Sequence, residues 1–295
     1  MLKFEDISLS HKEYFDKSVA KEDYLNSIND FNFFYLWNTK NNVQITFTND
    51  LTIIKGVWNN KTFFYSPSLD CYDTFKSLLN EIIEYQAGKD FYFAGIPAYI
   101  VSQVDCLQEC CSIEFDRNAS DYIYKTSDLM SLSGKKFHAK KNHVNSFIKS
   151  YKYEFVEYDE SYYQNILDLY DKWMSNSEHK VDPNERIAIT TAMNDYKQLG
   201  LKIGILLVDN NIAAFTMSAI SKFNVAQVFF EKADTQYKGI YAMINYINAN
   251  QFLSQTEFIN REEDMGIEGL RKAKLSYNPD TIYEKYILRY KNEQV

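Results

Sequence analysis

Three stretches of this chain carry residue types at spacings suited to chemistry. The first, VFFEKADTQYKGIYAMIN (228–245), reads as an apolar strand ending at Glu231, a loop, and a helix opening at Gly239. A helix start offers unpaired N–H groups and the positive end of the helix dipole, which suits a phosphate or pyrophosphate. A glycine there lets a ligand approach the backbone, although an ordinary turn glycine would look the same. The second stretch, Asn260-Arg261-Glu262-Glu263-Asp264-Met265-Gly266, follows directly on another strand. Glu231, Glu262 and Asp264 are candidates to orient or deprotonate an acceptor, with Asn260 as an orienting amide. Arg261, Arg271 and Lys274 have the charge to hold an anionic donor or acceptor, and Arg271 and Lys274 share a helix face at i,i+3 spacing. The bland alternative is a helix with acids near its start and bases near its end.

The third stretch is basic. From Leu129 to Tyr153 there are six lysines, two histidines and no acid. Helical spacing over 134–149 puts Phe137, Val144, Phe147, Ile148 and Tyr151 on one arc. His138, Asn142, Asn145 and Lys149 fall on an adjacent arc, with Lys140 and Lys141 nearby. One face is built to pack, and its polar neighbour can reach an anion such as a phosphate of RNA. A solvated basic helix bridging two halves is the competing reading. The formal net charge of −8 argues against broad nonspecific nucleic-acid binding but leaves room for this local patch.

Other chemistries find little support. His138 and His143 lack further ligands at metal spacing, so no metal site is expected. No Ser/Cys–His–Asp triad can be assembled with specificity. Cys71, Cys106, Cys110 and Cys111 form no paired CxxC pattern and read as reduced thiols. The N-terminus has acids and no apolar core of a secretory signal, and no run of 18 apolar residues suggests a membrane span. A cytoplasmic location is the expectation.

The elements that must position these residues read most clearly in the C-terminal half. The pattern predicts a strand at 153–158, helices at 160–176 and from Asp182-Pro183 to Leu199, and a stop at Gly200. Strands follow at Lys202–Val208, Ile212–Ile220 and Val225–Glu231, joined by turn-rich Asp209-Asn210-Asn211 and Ser221–Asn224. After the Gly239 helix come a strand at Glu257–Asn260, a helix at Gly266–Leu275 and a final strand at Ile282–Tyr290. The N-terminal half repeats the order: strands Val43–Thr48, Leu51–Trp58 and Thr62–Ser66 separated by Asn49-Asp50 and Asn59-Asn60, a helix at 72–86, a strand at Asp90–Ala94 and a short helix after Pro97. Meander, helix, strand, helix occurs twice, which reads as a structural duplication. The expected architecture is α/β with mixed sheets, in two halves, 1–127 and 128–295.

Gln236-x-x-Gly239 resembles the Q/R-x-x-G-x-G/A turn with which GNAT acyltransferases hold the pyrophosphate of coenzyme A. Tyr241 stands where that pattern has its last small residue. In a GNAT-like sheet the strands ending at Glu231 and Asn260 splay apart, and the gap admits the acyl donor. More specifically, the chain resembles the family of the C-terminal domain of phosphatidylglycerol lysyltransferases, over roughly 120–290. The residues that carry this are Ser120–Tyr124, the Gly134–Phe147 helix, Gly239-Ile240-Tyr241 with Asn245, and the long block from Asn260 to Pro279. The resemblance implies two tandem GNAT-like halves, each a mainly antiparallel sheet flanked by helices. It also implies transfer of an aminoacyl group, with aminoacyl-tRNA as donor, and places Gln236, Gly239, Tyr241 and Asn245 on the donor side. Lys141 sits where the family's helix is expected to favour Arg.

Two functions follow. One is an acyl or aminoacyl transferase, with a coenzyme A thioester or aminoacyl-tRNA as donor and a small-molecule, lipid or peptide acceptor bearing an amine or hydroxyl. Glu231 or Glu262 would accept the proton, while the Gly239 helix and Lys274 would hold donor phosphates. The other is a protein that keeps the fold without catalysis and grips RNA or another polyanion through the 134–149 helix. The N-terminal half has only Ser66-Pro67-Ser68-Leu69-Asp70 between its third strand and its helix, with no glycine turn, and is expected to be structural or to serve the acceptor side.

Overall fold

The structure is a computed structural model that describes residues 2–48, 51–58, 60–104, 111–176 and 182–291. Asn49, Asp50, Asn59, Cys106 and Cys110 lie outside the described residues. In chain order the strands are β1 (Glu5–Asp6), β2 (Gln44–Thr48), β3 (Leu51–Trp58), β4 (Lys61–Tyr65), β5 (Phe91–Pro97), β6 (Cys111–Phe115) and β7 (Asp121–Lys125). They continue as β8 (Tyr153–Glu157), β9 (Lys202–Val208), β10 (Asn211–Ile220), β11 (Val225–Ala233), β12 (Phe258–Asn260), β13 (Thr281–Tyr283) and β14 (Lys285–Tyr290). The helices are α1 (Lys12–Ser18), α2 (Phe31–Leu36), α3 (Asn38–Asn41), α4 (Tyr72–Gln86), α5 (Ala98–Val101) and α6 (Thr126–Ser131). After them come α7 (His138–Ser150), α8 (Tyr163–Ser175), α9 (Asn184–Leu199), α10 (Ile240–Gln251) and α11 (Glu268–Leu275).

The chain forms two compact units. One comprises Met1–Asp121, Glu263–Gly266 and Ile282–Val295, the other Tyr122–Glu262 and Ile267–Thr281. Neither is contiguous, in contrast to the expected halves 1–127 and 128–295. The final strand, expected to close the second half, breaks into β13 and β14, and β14 joins the sheet of the first unit.

In the first unit the sheet runs β1-β2-β3-β4-β5-β14-β6. Strands β2, β3 and β4 form an antiparallel meander, and β4 and β5 pair in parallel through Phe63–Phe64 and Tyr92–Phe93. The parallel step needs a crossover, which α4 supplies. That helix buries Phe75, Leu78, Leu79 and Ile82, at helical spacing, against Phe64, Phe91, Phe93 and Leu288. A polar network is also buried here. Lys285 pairs with Asp121 at 2.8 Å and donates to Ser27 Oγ at 2.8 Å. Asp23 accepts from the Tyr283 hydroxyl and from Asn26 Nδ2.

In the second unit the meander is β9-β10-β11, continued on one side by β8 and on the other by β12 and β7. The β9–β10 connection puts Asp209 and Asn210 at positive φ (48° and 64°), the conformation that a two-residue hairpin turn demands and that these residue types tolerate. Gly200 ends α9 in the left-handed conformation, as its position in the sequence predicts. Helix α10 is apolar nearly all round, and it is covered accordingly: Ile240, Ala242, Met243, Ile244, Ile247 and Ala249 are buried. Its partner α7 contributes Val144 and Phe147 to the same core. Ile148, expected on the packing arc of α7, is 43% exposed, because the buried stripe is narrower than the arc drawn from spacing. Each unit is thus a GNAT-like half, a mainly antiparallel sheet flanked by helices, as expected.

Candidate functional site

The second unit opens where β11 and β12 part. Their parallel pairing covers only Val225–Gln227 against Phe258–Asn260. Beyond Gln227, β11 continues alone on that side to Ala233, two residues past the end expected from sequence. A parallel pair that separates leaves side chains of both strands facing one gap. Glu231 enters it from β11, and Arg261 from the residue after β12.

These two meet. Arg261 Nη2 donates to Glu231 Oε1 at 2.9 Å, and the side chains are only 13% and 8% exposed. The guanidinium lies against two rings, 4.9 Å from the Tyr277 centroid and 5.9 Å from that of Tyr124, the stacking for which Arg is suited and Lys is not. Burial, the largest single effect, works against the charge of Arg261, but the Glu231 carboxylate together with Tyr124 and Tyr277 outweighs it and holds the guanidinium above its ordinary range. Burial pushes the Tyr277 hydroxyl up to about 12, so it stays protonated. The Lys140 ammonium, from α7, lies 4.0 Å from the Tyr277 centroid, and burial, then Arg261, lower its affinity for a proton.

The pair is incompletely satisfied. Glu231 Oε2 and Arg261 Nε and Nη1 are buried and make no hydrogen bond. An unmet buried polar atom costs roughly 1–3 kcal/mol, more when charged. Here one acceptor and two donors of a single buried ion pair are unmet. Asn245, on α10, is likewise buried, with Oδ1 unmet.

The other predicted residues take varied places. Asn260 Oδ1 accepts from Glu262 N at 2.6 Å, so this amide shapes the turn that follows β12. Glu262 sits at φ 57° and its Oε1 accepts from Gln227 at 2.8 Å. Lys274 is buried, and its ammonium donates to the carbonyls of Arg261 and Glu262. It thereby clamps the turn carrying Arg261, where phosphate binding had been expected of it. Asp264 belongs to the first unit, where it is buried, pairs with Arg117 at 3.2 Å and accepts from Gly266 N. Arg271 lies on α11, and its backbone N–H bonds Ile267.

Gly239 caps α10 at φ 87°, and a backbone packs closely against the side where a Cβ would stand. A Cβ built there would stand 2.7 Å from the carbonyl oxygen of His143 on α7. The glycine therefore admits a neighbouring helix. Gln236 is exposed, its N–H bonding Asp234. Tyr241 stands in the first turn of α10; the residue is 36% exposed, but its hydroxyl is desolvated, which, with Glu231 nearby, pushes it up to about 12. His138, Lys141, Asn142 and Asn145 are exposed on α7, with Lys141 reaching Ser131 O at 3.0 Å.

Sequence reasoning missed a second cluster on β11. Lys232, whose side chain is 12% exposed, pairs with Glu185 of α9 at 2.8 Å and sits 3.7 Å from the Trp173 ring of α8. The available signal was period two: in a strand, the neighbour of Glu231 points to the opposite face, here the one covered by α8 and α9. Among the described residues no group of acids, histidines and cysteines could hold a metal ion, and no helix is long and apolar enough to cross a membrane.

Comparison with known proteins agrees with this architecture. Over 175 residues the chain is 29% identical to a protein of Mycoplasmoides gallisepticum, a match covering 58% of this chain and 56% of that one. The chain thus spans about half the length of that curated relative. A crystal structure of a conserved protein of unknown function from Bacteroides thetaiotaomicron is 36% identical, with a TM-score of 0.90 and coverage of 99% of this chain and 100% of that one. The C-terminal domain of a protein described as a lysylphosphatidylglycerol synthetase, from Agrobacterium fabrum, shares the fold at 14% identity, TM-score 0.66, over 96% of this chain and 92% of that one. Residues 22–289 match the family model for phosphatidylglycerol lysyltransferase, C-terminal, so the block from Asn260 to Pro279 and the gap it helps to build are those of a chain that belongs to this family.

Proposed function

We propose that this chain is an aminoacyl transferase acting in the gap between β11 and β12. The observation that carries the reading is the buried Glu231–Arg261 pair with one acceptor and two donors unmet. An ester carbonyl of an aminoacyl donor would accept from the free N–H groups of Arg261. Those groups strengthen their hold as negative charge develops on that oxygen during attack. The free oxygen of Glu231 accepts the proton of the attacking amine or hydroxyl as the new acyl bond forms; the ester C–O bond then breaks, and the leaving donor oxygen takes that proton from Glu231 and departs as a hydroxyl. Because the ester is already activated, positioning and the movement of one proton carry the catalysis.

Two features favour aminoacyl-tRNA over a coenzyme A thioester. The small residue at Gly239 is accounted for by the close packing of α7, whose His143 carbonyl oxygen would stand 2.7 Å from a Cβ there. The exposed face of α7 meanwhile presents Lys141, His138, Asn142 and Asn145 to a polyanion. The acceptor class remains an amine or hydroxyl.

The test is transfer from aminoacyl-tRNA to a panel of amine and hydroxyl acceptors. Glu231→Gln is expected to lower kcat by about 10²–10⁴-fold, the range for loss of a general base, while tRNA binding is retained. Replacing Lys141 and Lys149 by Ala should weaken tRNA binding and flatten its salt dependence. Salt-sensitive tRNA binding with no turnover of any donor would replace this reading with that of a non-catalytic RNA-binding protein. Stabilisation by coenzyme A thioesters alone would overturn the choice of donor.

A further inference from the structure

A groove of about 850 Å³ lies in the first unit, remote in sequence from the residues above. Its floor is the outer end of β2, and one wall is α4, through Glu81, Glu84 and Tyr85. The other wall is the N-terminal segment, through Lys3 and Glu5.

The groove exists because the first strand stops short. β1 pairs with β2 only at Glu5↔Ile45 and Asp6↔Gln44. Going back along the chain, residues 2–4 leave the sheet edge, and Phe4 instead packs over α4 against Tyr85 and Phe64. Outward and inward backbone groups alternate along a strand. Ile7 N donates to Val43 O across the β1–β2 edge, so the N–H and C=O of Phe47, two steps beyond Ile45, also face outward. They point where β1 no longer runs. An edge of this kind is a template for an added strand, and natural sheets commonly cover or charge such edges.

The chemistry of the walls selects what can be added. Three carboxylates stand against one ammonium. Of the three, Glu84 is exposed and Glu5 is 67% exposed, its Oε1 shared with His11. Phe47 is 38% exposed and Tyr14 64% exposed, with ring centroids 5.6 Å apart, so an aromatic surface adjoins Glu5 on the α1 face of β2, while Glu81 and Glu84 stand on the α4 face. Carboxylates and ring faces both attract ammonium and guanidinium groups.

We infer that this groove is a docking site for an extended, Lys- or Arg-bearing peptide segment of another protein, which adds to β2 as an edge strand. Backbone bonding to Phe47 would hold the segment, and the acids of α4 and β1 would select its cationic side chains. The inference is independent of the transferase reading, since no residue is shared with that site.

The test uses the intact chain and the peptide acetyl-Lys-Thr-Val-Lys-Thr-Val-amide, with binding followed by amide chemical-shift changes. Expected are shifts at Thr46, Phe47 and Thr48, and about a tenfold loss of affinity in the Glu81→Gln, Glu84→Gln double variant. Methylating the peptide's backbone nitrogens at alternate residues should abolish binding in one of the two possible registers. Equal binding by both methylated peptides, or by spermine, which has the charge without the amides, would overturn strand addition. Shifts confined to residues elsewhere on the chain, or no binding at millimolar peptide, would overturn the site itself.

Discussion

Glu231 and Lys232 are neighbours in sequence and serve opposite faces of β11, and that alternation governs what their charges do. Glu231 faces Arg261 with an oxygen to spare, whereas Lys232 is spent on Glu185 and the Trp173 ring. Residue-scale burial also writes a pH dependence into the first unit. Asp23 is 1% exposed, and burial raises its carboxyl to about 7 against the opposing hydrogen bonds of Tyr283, Asn29 and Asn26 and the charge of Lys285. In the unfolded chain it titrates near 3.9. Below that value both states hold the proton. Between about 4 and 7 only the folded state does, so the folded state's advantage is lost as pH rises through 7. The expected slope from this group is about 1.4 kcal/mol per pH unit across that window. Urea unfolding between pH 4.5 and 7.5 measures it. Asp23→Asn should flatten the dependence, and an unchanged slope in that variant would mean another group is responsible.

Elements were legible from sequence wherever periodicity was strong. Strand β3, helix α4, strand β9 and the C-terminal end of α9 fall where alternation, helical spacing and Gly200 place them. What stayed hidden depended on distant packing. Gly239 looks like a phosphate turn because sequence records the absent side chain and not what fills its place, which here is the α7 backbone. Lys274 looks like an anion ligand because its two carbonyl partners lie on another element. The Arg261–Glu231 pair was visible as two separate charges, but their meeting required the parting of β11 from β12. Glycine substitutions separate these causes. At Gly200 (φ 69°) a Cβ meets nothing within 4 Å, so Gly200→Ala should cost only the left-handed backbone, about 1 kcal/mol. At Gly239 the same backbone cost adds to a 2.7 Å contact with a carbonyl oxygen that belongs to a packed helix. Gly239→Ala should therefore be the more damaging by at least about 1–2 kcal/mol, roughly the cost of overpacking a filled site. Equal losses of stability in the two variants would show that α7 yields freely.

At the scale of the whole molecule, the duplication is real in architecture and offset in sequence. Each unit has its meander, crossover helix and parallel fourth strand, yet the strand antiparallel to that fourth strand is β7 in one unit and β14 in the other. Reading along the chain assigns the last strand to the nearest preceding half, because local pattern carries no information about which sheet edge a strand reaches. The consequence is energetic as well as topological. β14 lies between β5 and β6, pairing with both, and Leu288 is fully buried in the core beneath α4. Tyr290 stacks on Phe91 with centroids 4.9 Å apart. Shortening a side chain of this strand therefore empties a core. Leu288→Ala should cost about 2–5 kcal/mol, as large-to-small changes in packed cores do. Amide hydrogen exchange locates the damage: Phe91–Pro97 and Cys111–Phe115 should lose protection first, since their ladders flank the altered strand. Unchanged protection there, with the loss appearing instead in β9, β10 and β11, would place the last strand with the second unit after all.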